Sequence, residues 1–302
     1  MSDFIPWDEK IGIPDLHDDR VQVWRLNLDQ DAAVAEHLRA LLSDDERARA
    51  DRFYFPHLRA HYTLVRGGLR ILLGRLSGLD PAGISFDYTQ HGKPYLAGSD
   101  MAFNVSHSGE MGLIALARGR RVGVDVEQVR DLPDGEAIAR RFFAPSEVAA
   151  FLAVPEPQRV QAFYNGWTRK EAFIKAVGDG LSYPLDRFTV RLDPGTPAEL
   201  LSIDSVPKAA RRWKLVALDP GAGYAGALLA ELPEWEPECR VFDFGALSID
   251  EEQDGHGEGD DAHHQIGSNP DAQVSQANKE KIDNQQQGRD LGRHSHDGSP
   301  YR

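Results

Sequence analysis

The segment Gly123-Val124-Asp125-Val126-Glu127 constrains this chain more than any other. It predicts a strand with Val124 and Val126 on one face and Asp125 and Glu127 on the other. The valines call for a core. The two carboxylates, side by side in a buried sheet, repel each other and resist removal from water. A hard divalent cation with oxygen ligands relieves both costs. Mg²⁺ takes one or two carboxylates and completes its shell with substrate phosphate and water.

A second segment, Trp167-Thr168-Arg169-Lys170-Glu171-Ala172-Phe173-Ile174-Lys175, reads as a helix. Glu171 and Lys175 are four apart and share a face with Trp167. The spacing allows an ordinary salt bridge. It equally allows Glu171 to bind metal while Lys175 neutralises a phosphate oxygen. Taken singly, a D-x-E strand is usually a solvated edge and E-x-x-x-K usually stabilises a surface. Trp167 is expected to pack the helix against a sheet, with Phe173 and Ala176 in the core.

Upstream runs Gln90-His91-Gly92-Lys93-Pro94-Tyr95-Leu96. Gly92 permits close approach of backbone to a ligand, and Pro94 stiffens the chain after the lysine. Lys93 is then a cation on a stiff turn, suited to a phosphate or a nucleotide, although a plain surface turn has the same composition. Phe103-Asn104-Val105-Ser106-His107-Ser108-Gly109 comes next, at the end of a short apolar strand. Asn104 and Ser106 can reach a pyrophosphate as donors, or bond their own backbone in a turn. Neighbours on a strand point to opposite faces, so Ser106 and His107 make a poor nucleophile–base pair.

These motifs in this order, with Gly92-Lys93-Pro94 first and Trp167-x-x-Lys170-Glu171-Ala172-Phe173-x-Lys175 last, resemble the 4′-phosphopantetheinyl transferases of the surfactin-synthetase-activating (Sfp) type. The resemblance spans about residues 20 to 235 and takes in Arg140-Arg141-Phe142-Phe143 and Gly178-Asp179-Gly180-Leu181. It implies an α+β monomer of two similar α/β halves about a pseudo-twofold axis, with the active site between them. Asp125, Glu127 and Glu171 match the family's metal carboxylates, for Mg²⁺ or Mn²⁺. Lys93 and His107 match contacts to the nucleotide and phosphates of coenzyme A, with His91, Gly92, Pro94, Asn104 and Ser106 beside them. Lys175 and Lys170 match lysines near the pyrophosphate. Arg49, in Arg47-Ala48-Arg49-Ala50-Asp51-Arg52-Phe53, sits where the family has a cation for the 3′-phosphate.

The implied reaction moves 4′-phosphopantetheine from coenzyme A to a serine of an apo acyl, peptidyl or aryl carrier protein. Adenosine 3′,5′-bisphosphate leaves. Glu171 is the expected general base, Glu127 its competitor, and Lys175 offsets charge. One alternative is another Mg²⁺-dependent phosphotransferase, but no G-x-x-x-x-G-K-[ST] loop or kinase signature supports it. A second is a non-catalytic carrier-protein-binding module of the same fold, against which the intact three-acid set argues.

Charge and cysteine content narrow the field further. A formal charge of -14 argues against non-specific nucleic-acid binding. Cys239 is the only cysteine, which excludes an intrachain disulfide and zinc-ribbon sites. The start, Met1-Ser2-Asp3-Phe4-Ile5-Pro6, lacks the pattern of a signal peptide. No apolar run is long enough to span a bilayer. A soluble cytoplasmic protein is the expectation.

Periodicity gives the organisation. Residues 21–26 read as a strand, 31–42 and 44–75 as helices, and Ile84–Tyr88 and Met111–Ala117 as strands. Gly119-Arg120-Arg121 then suggests a hairpin into the carboxylate strand. Helices follow near 135–142, 145–153 and 158–177, the last stopped by Gly178 or Gly180. Residues 187–192, 213–217 and 224–229 read as closing strands, with Gly221 and Gly223 in a tight hairpin. The division expected is residues 1–117 and 118–245 as halves, then a tail over 246–302. That tail is poor in apolar residues, so its composition predicts disorder. His256, His263, His264, His294 and His296 read as incidental rather than as a metal site.

Overall fold

The computed structural model describes residues 5–10, 12–178 and 183–246. The first four residues, Asp179-Gly180-Leu181, and the tail with its five histidines lie outside the described residues. Eleven strands run in the described chain: β1 (Arg20–Asn27), β2 (Asp87–Tyr88), β3 (Pro94–Tyr95), β4 (Met101–Ser108), β5 (Met111–Arg118), β6 (Val122–Gln128), β7 (Phe188–Val190), β8 (Leu200–Ile203), β9 (Trp213–Leu218), β10 (Tyr224–Glu231) and β11 (Glu236–Phe242). The helices are α1 (Ala32–Arg39), α2 (Asp44–Ala50), α3 (Pro56–Ser77), α4 (Gly135–Phe142), α5 (Pro145–Ala153), α6 (Glu156–Val177) and α7 (Pro207–Ala210).

Two sheets carry this mixed α/β fold. One has four strands in the order β11-β1-β5-β4; the other has three, β6-β10-β9. They share an apolar core. Val21, Val23, Leu113 and Ala115 come from the first sheet, and Val122, Val124, Val126 and Leu228 from the second. The outer faces are covered by the two 22-residue helices. Leu64, Leu69, Leu72 and Leu73 of α3 pack on Leu26, Phe103 and Ile114. Ala172, Phe173 and Ala176 of α6 pack on Leu215, Ala227 and Leu229. The order is helix, sheet, sheet, helix.

Three sequence expectations change. The helix expected over 44–75 is two, because Pro56 lacks an N–H and its ring would crowd the preceding turn; it opens α3 instead. No hairpin joins β5 to β6. Past Gly119 (φ +59°) the chain leaves the first sheet, and β6 pairs antiparallel with β10. The last strand, β11, went unread. It runs back to pair parallel with β1 and places Phe242 in the first core, so the sheets do not divide the chain at one point. The other strands and α4 to α6 form close to where periodicity puts them. Of Ile84–Tyr88, Asp87–Tyr88 forms a strand, paired with β3.

Candidate active site

The carboxylate strand is built as its pattern requires. Val122, Val124 and Val126 enter the inter-sheet core. Gly123, Asp125 and Glu127 take the other face, against α6. A Cβ at Gly123 would lie 2.0 Å from Ala172 O and 2.5 Å from Ala176 N. Only glycine lets the α6 backbone come so close. That approach brings Lys175 over the strand.

Asp125 is fully buried. Its Oδ1 accepts from Lys175 Nζ at 2.6 Å and from Ser106 Oγ at 2.7 Å. Lys175 Nζ also donates to Ser106 Oγ at 3.0 Å and Val124 O at 3.3 Å. Glu127 Oε2 accepts from Ser108 Oγ at 2.8 Å. Glu171, 8% exposed, lies one turn before Lys175 on the same helix face. The structure thus joins Asp125, Lys175 and Ser106 directly, sets Glu127 two residues along the strand, and places Glu171 on the helix face above.

β4 is tied to this strand by side chains where a ladder would use backbone. Asn104 Oδ1 accepts from Val124 N (2.8 Å), Ser106 Oγ from Val126 N (3.3 Å) and Ser108 Oγ from Gln128 N (3.1 Å). Asn104 and Ser106 therefore act first as stitches between the two sheets. Ser108 and Gly123 were not singled out from the sequence. The period-two run Asn104-x-Ser106-x-Ser108 on an otherwise apolar strand was the available signal for Ser108. His107 shares the opposite face of β4 with Phe103 and Val105.

Lys93 stands at the end of α6. Its Nζ donates to Lys175 O (2.6 Å) and Ala176 O (3.3 Å), a cation on the helix C-terminal carbonyls, and to Val122 O of β6 (3.2 Å). Burial, and secondarily the Arg121 guanidinium, push its pKa down to about 8. The turn before it closes through Thr89 N to Lys93 O and Gly92 N to Thr89 O, with Gly92 at φ +77°. Pro94 opens β3, and His91 Nε2 meets Gln90 Nε2 at 2.8 Å. Arg49, exposed on α2, holds its guanidinium 5.7 Å from the Tyr62 ring centroid.

Lys170 departs from expectation. It is fully buried on the far side of α6, where Nζ reaches Glu147 Oε2 (2.7 Å), Leu185 O (2.7 Å) and Phe188 O (2.8 Å). It therefore ties α5, α6 and the 185–190 segment together on the side of the helix away from Asp125, and does not face the carboxylate strand. Burial lowers its pKa, and Glu147 opposes that. Trp167 stacks on Phe163 and abuts Phe142 of α4, and it packs on a core cluster that includes Ala225 of β10.

Among the described residues no three His, Cys, Asp or Glu side chains form a ready metal cage. The donor set still fits a hard divalent cation. Two carboxylates on one strand face and a third on the facing helix are oxygen ligands, and Mg²⁺ needs only one or two from protein. An ammonium already sits 2.6 Å from Asp125, so positive charge is accepted there.

Comparison with known proteins identifies the family. The profile described as the 4′-phosphopantetheinyl transferase superfamily matches residues 121–229, which span β6 to β10 and include α6. That described as 4′-phosphopantetheinyl transferase, N-terminal, matches residues 30–118. The chain is 39% identical over 224 residues to the 4′-phosphopantetheinyl transferase HetI of Nostoc sp., covering 73% of this chain and 91% of that one. It is 31% identical over 231 residues to 4′-phosphopantetheinyl transferase Sfp of Bacillus subtilis, covering 75% and 100%. A crystal structure of Thermotoga maritima holo-[acyl-carrier-protein] synthase matches 37% of this chain and 62% of that one at 24% identity, with a TM-score of 0.28, too low to bear on the fold. With both profiles in chain order and relatives matched over nearly their full length, the chain belongs to the 4′-phosphopantetheinyl transferase family.

Proposed function

We propose that this transferase moves 4′-phosphopantetheine from coenzyme A to a serine hydroxyl of an apo carrier protein at the face between β6 and α6. The observation that carries the reading is the approach of α6 at Gly123. It sets Lys175 on Asp125, with Glu127 beside it and Glu171 one turn back. The serine oxygen attacks the phosphorus that bears the pantetheine arm, and the bond from that phosphorus to the bridging oxygen breaks. Adenosine 3′,5′-bisphosphate departs with the bond electrons. Glu171 takes the serine proton, with Glu127 the other carboxylate in reach of that role. Lys175 moves its charge from Asp125 to the phosphoryl oxygens, and Lys93 and Arg49 hold the nucleotide end, with His91, Gly92 and His107 nearby. Asp125, Glu127 and Glu171 would hold Mg²⁺ or Mn²⁺, which when bound stabilises charge on the phosphoryl oxygens.

The same reading takes the two helix-on-sheet units as pseudo-twofold halves of a cytoplasmic monomer. Its acceptors are acyl, peptidyl or aryl carriers. Asp125→Ala and Glu171→Ala should each cut release of adenosine 3′,5′-bisphosphate by at least about 100-fold, with the circular dichroism spectrum unchanged. Full activity in either variant would remove that residue from the site.

A further inference from the structure

A glutamate away from the carboxylate face joins the two elements that carry the proposed nucleotide-binding cations. Glu46, 1% exposed, lies in the first turn of α2. Its Oε2 accepts from Ser43 N at 3.1 Å and Arg70 Nε at 2.6 Å, and its Oε1 accepts from Arg66 Nε. Both arginines are on α3, one turn apart. Arg70 is fully buried and donates onward to Pro81 O at 2.8 Å. Arg66 reaches outward. Its Nη2 donates to the Tyr88 hydroxyl at 3.2 Å, and its guanidinium lies 4.5 Å from the Phe86 ring centroid.

The connections lead to both cations. Tyr88 on β2 pairs with Pro94 on β3, so the turn bearing His91, Gly92 and Lys93 is suspended from Arg66. Arg49 follows Glu46 on α2 by three residues and shares its side of the helix. One buried carboxylate therefore anchors α2 with Arg49 and, through Arg66, the hairpin with Lys93. Removing a carboxylate from water is costly, and two guanidiniums compensate it. Two cations against one anion also leave positive charge between these elements.

We propose that Glu46 is a positioning residue for the nucleotide end of the donor, fixing α2 and the β2–β3 hairpin so that Arg49 and Lys93 serve one 3′-phosphate. This rests on the reading of those two residues as donor cations. The test compares coenzyme A with 3′-dephospho-coenzyme A, which keeps the pyrophosphate and the pantetheine arm, in transfer to an apo carrier protein by the full chain. Glu46→Gln keeps the shape and the helix-capping acceptor but loses the charge. Tyr88→Phe removes only the hydroxyl link from an exposed side chain, so it folds even if Glu46→Gln does not.

Glu46→Gln should raise the KM for coenzyme A about tenfold, and Tyr88→Phe about threefold, with kcat within twofold of the parent. The KM for the dephospho donor should stay put in both. An equal rise for both donors, a fall in kcat alone, or no change in Tyr88→Phe would overturn the proposal. No transfer by the unsubstituted chain from either donor would instead overturn the transferase reading beneath it.

Discussion

Lys93 shows how one side chain couples stability to donor binding. Its ammonium is buried against two carbonyls at the end of α6 and one at the start of β6. An unfolded lysine keeps its proton to about pH 10.5, whereas folded Lys93 gives it up near pH 8. Between those values the folded state binds fewer protons, so this residue's contribution to stability grows as pH rises through the window and is absent below it. Its service as a cation runs the other way. The KM for coenzyme A should therefore rise above about pH 8, and Lys93→Arg, which keeps its charge, should flatten that rise. A flat profile for the unsubstituted chain between pH 7 and pH 9.5, measured as KM in transfer assays, would remove Lys93 from the donor site. The sequence made Lys93 legible because Gly92 and Pro94 flank it. Lys175 shares a helix face with Glu171, whereas Lys170, five residues before it, falls on another face. The sequence did not show what Lys170 meets there: Glu147, 23 residues upstream, with Leu185 O and Phe188 O.

At the scale of elements, the site depends on how α6 lies on β6. Alternation gave the two faces of β6, but nothing local to Gly123 announces a helix crossing it. The glycine could equally have marked a bulge or a turn. Gly123→Ala places a methyl against Ala172 O and Ala176 N, both backbone atoms that cannot swing aside. It should destabilise by at least the ~1–3 kcal/mol usual for overpacking. It should also separate Lys175 from Asp125 and remove transfer even in the fraction that folds. Thermal denaturation and a transfer assay at low temperature check both parts; parental stability and activity would show that α6 has room to spare. The polar stitches of Asn104, Ser106 and Ser108 were half legible. Their period was visible, but their partners are 20 residues away in a strand that leaves the first sheet.

For the whole molecule, periodicity located most of the strands and helices, but neither their layering as helix, sheet, sheet, helix nor the path of the chain. β11 begins beyond Trp235, crosses to the first sheet and brings Phe242 and Phe244 into its core. A seven-residue strand that alternates charged residues, Glu236, Glu238 and Arg240, with apolar ones gives no sign of which sheet it joins. A chain ending at residue 246 should keep its fold and its transfer rate. One ending before Glu236 exposes the β1 edge, loses two core aromatics and should not fold, as circular dichroism will show.

All the catalytic and donor-binding roles depend on phosphopantetheine transfer taking place at the β6–α6 face. The most direct test mixes the chain with coenzyme A, Mg²⁺ and a panel of apo carrier proteins, then weighs each carrier intact. At least one carrier should gain one phosphopantetheine arm, and the gain should be lost with a chelator and in Glu171→Ala. A panel left unmodified by a chain that also fails to bind coenzyme A, or an arm gained just as fast by Glu171→Ala, would contradict it.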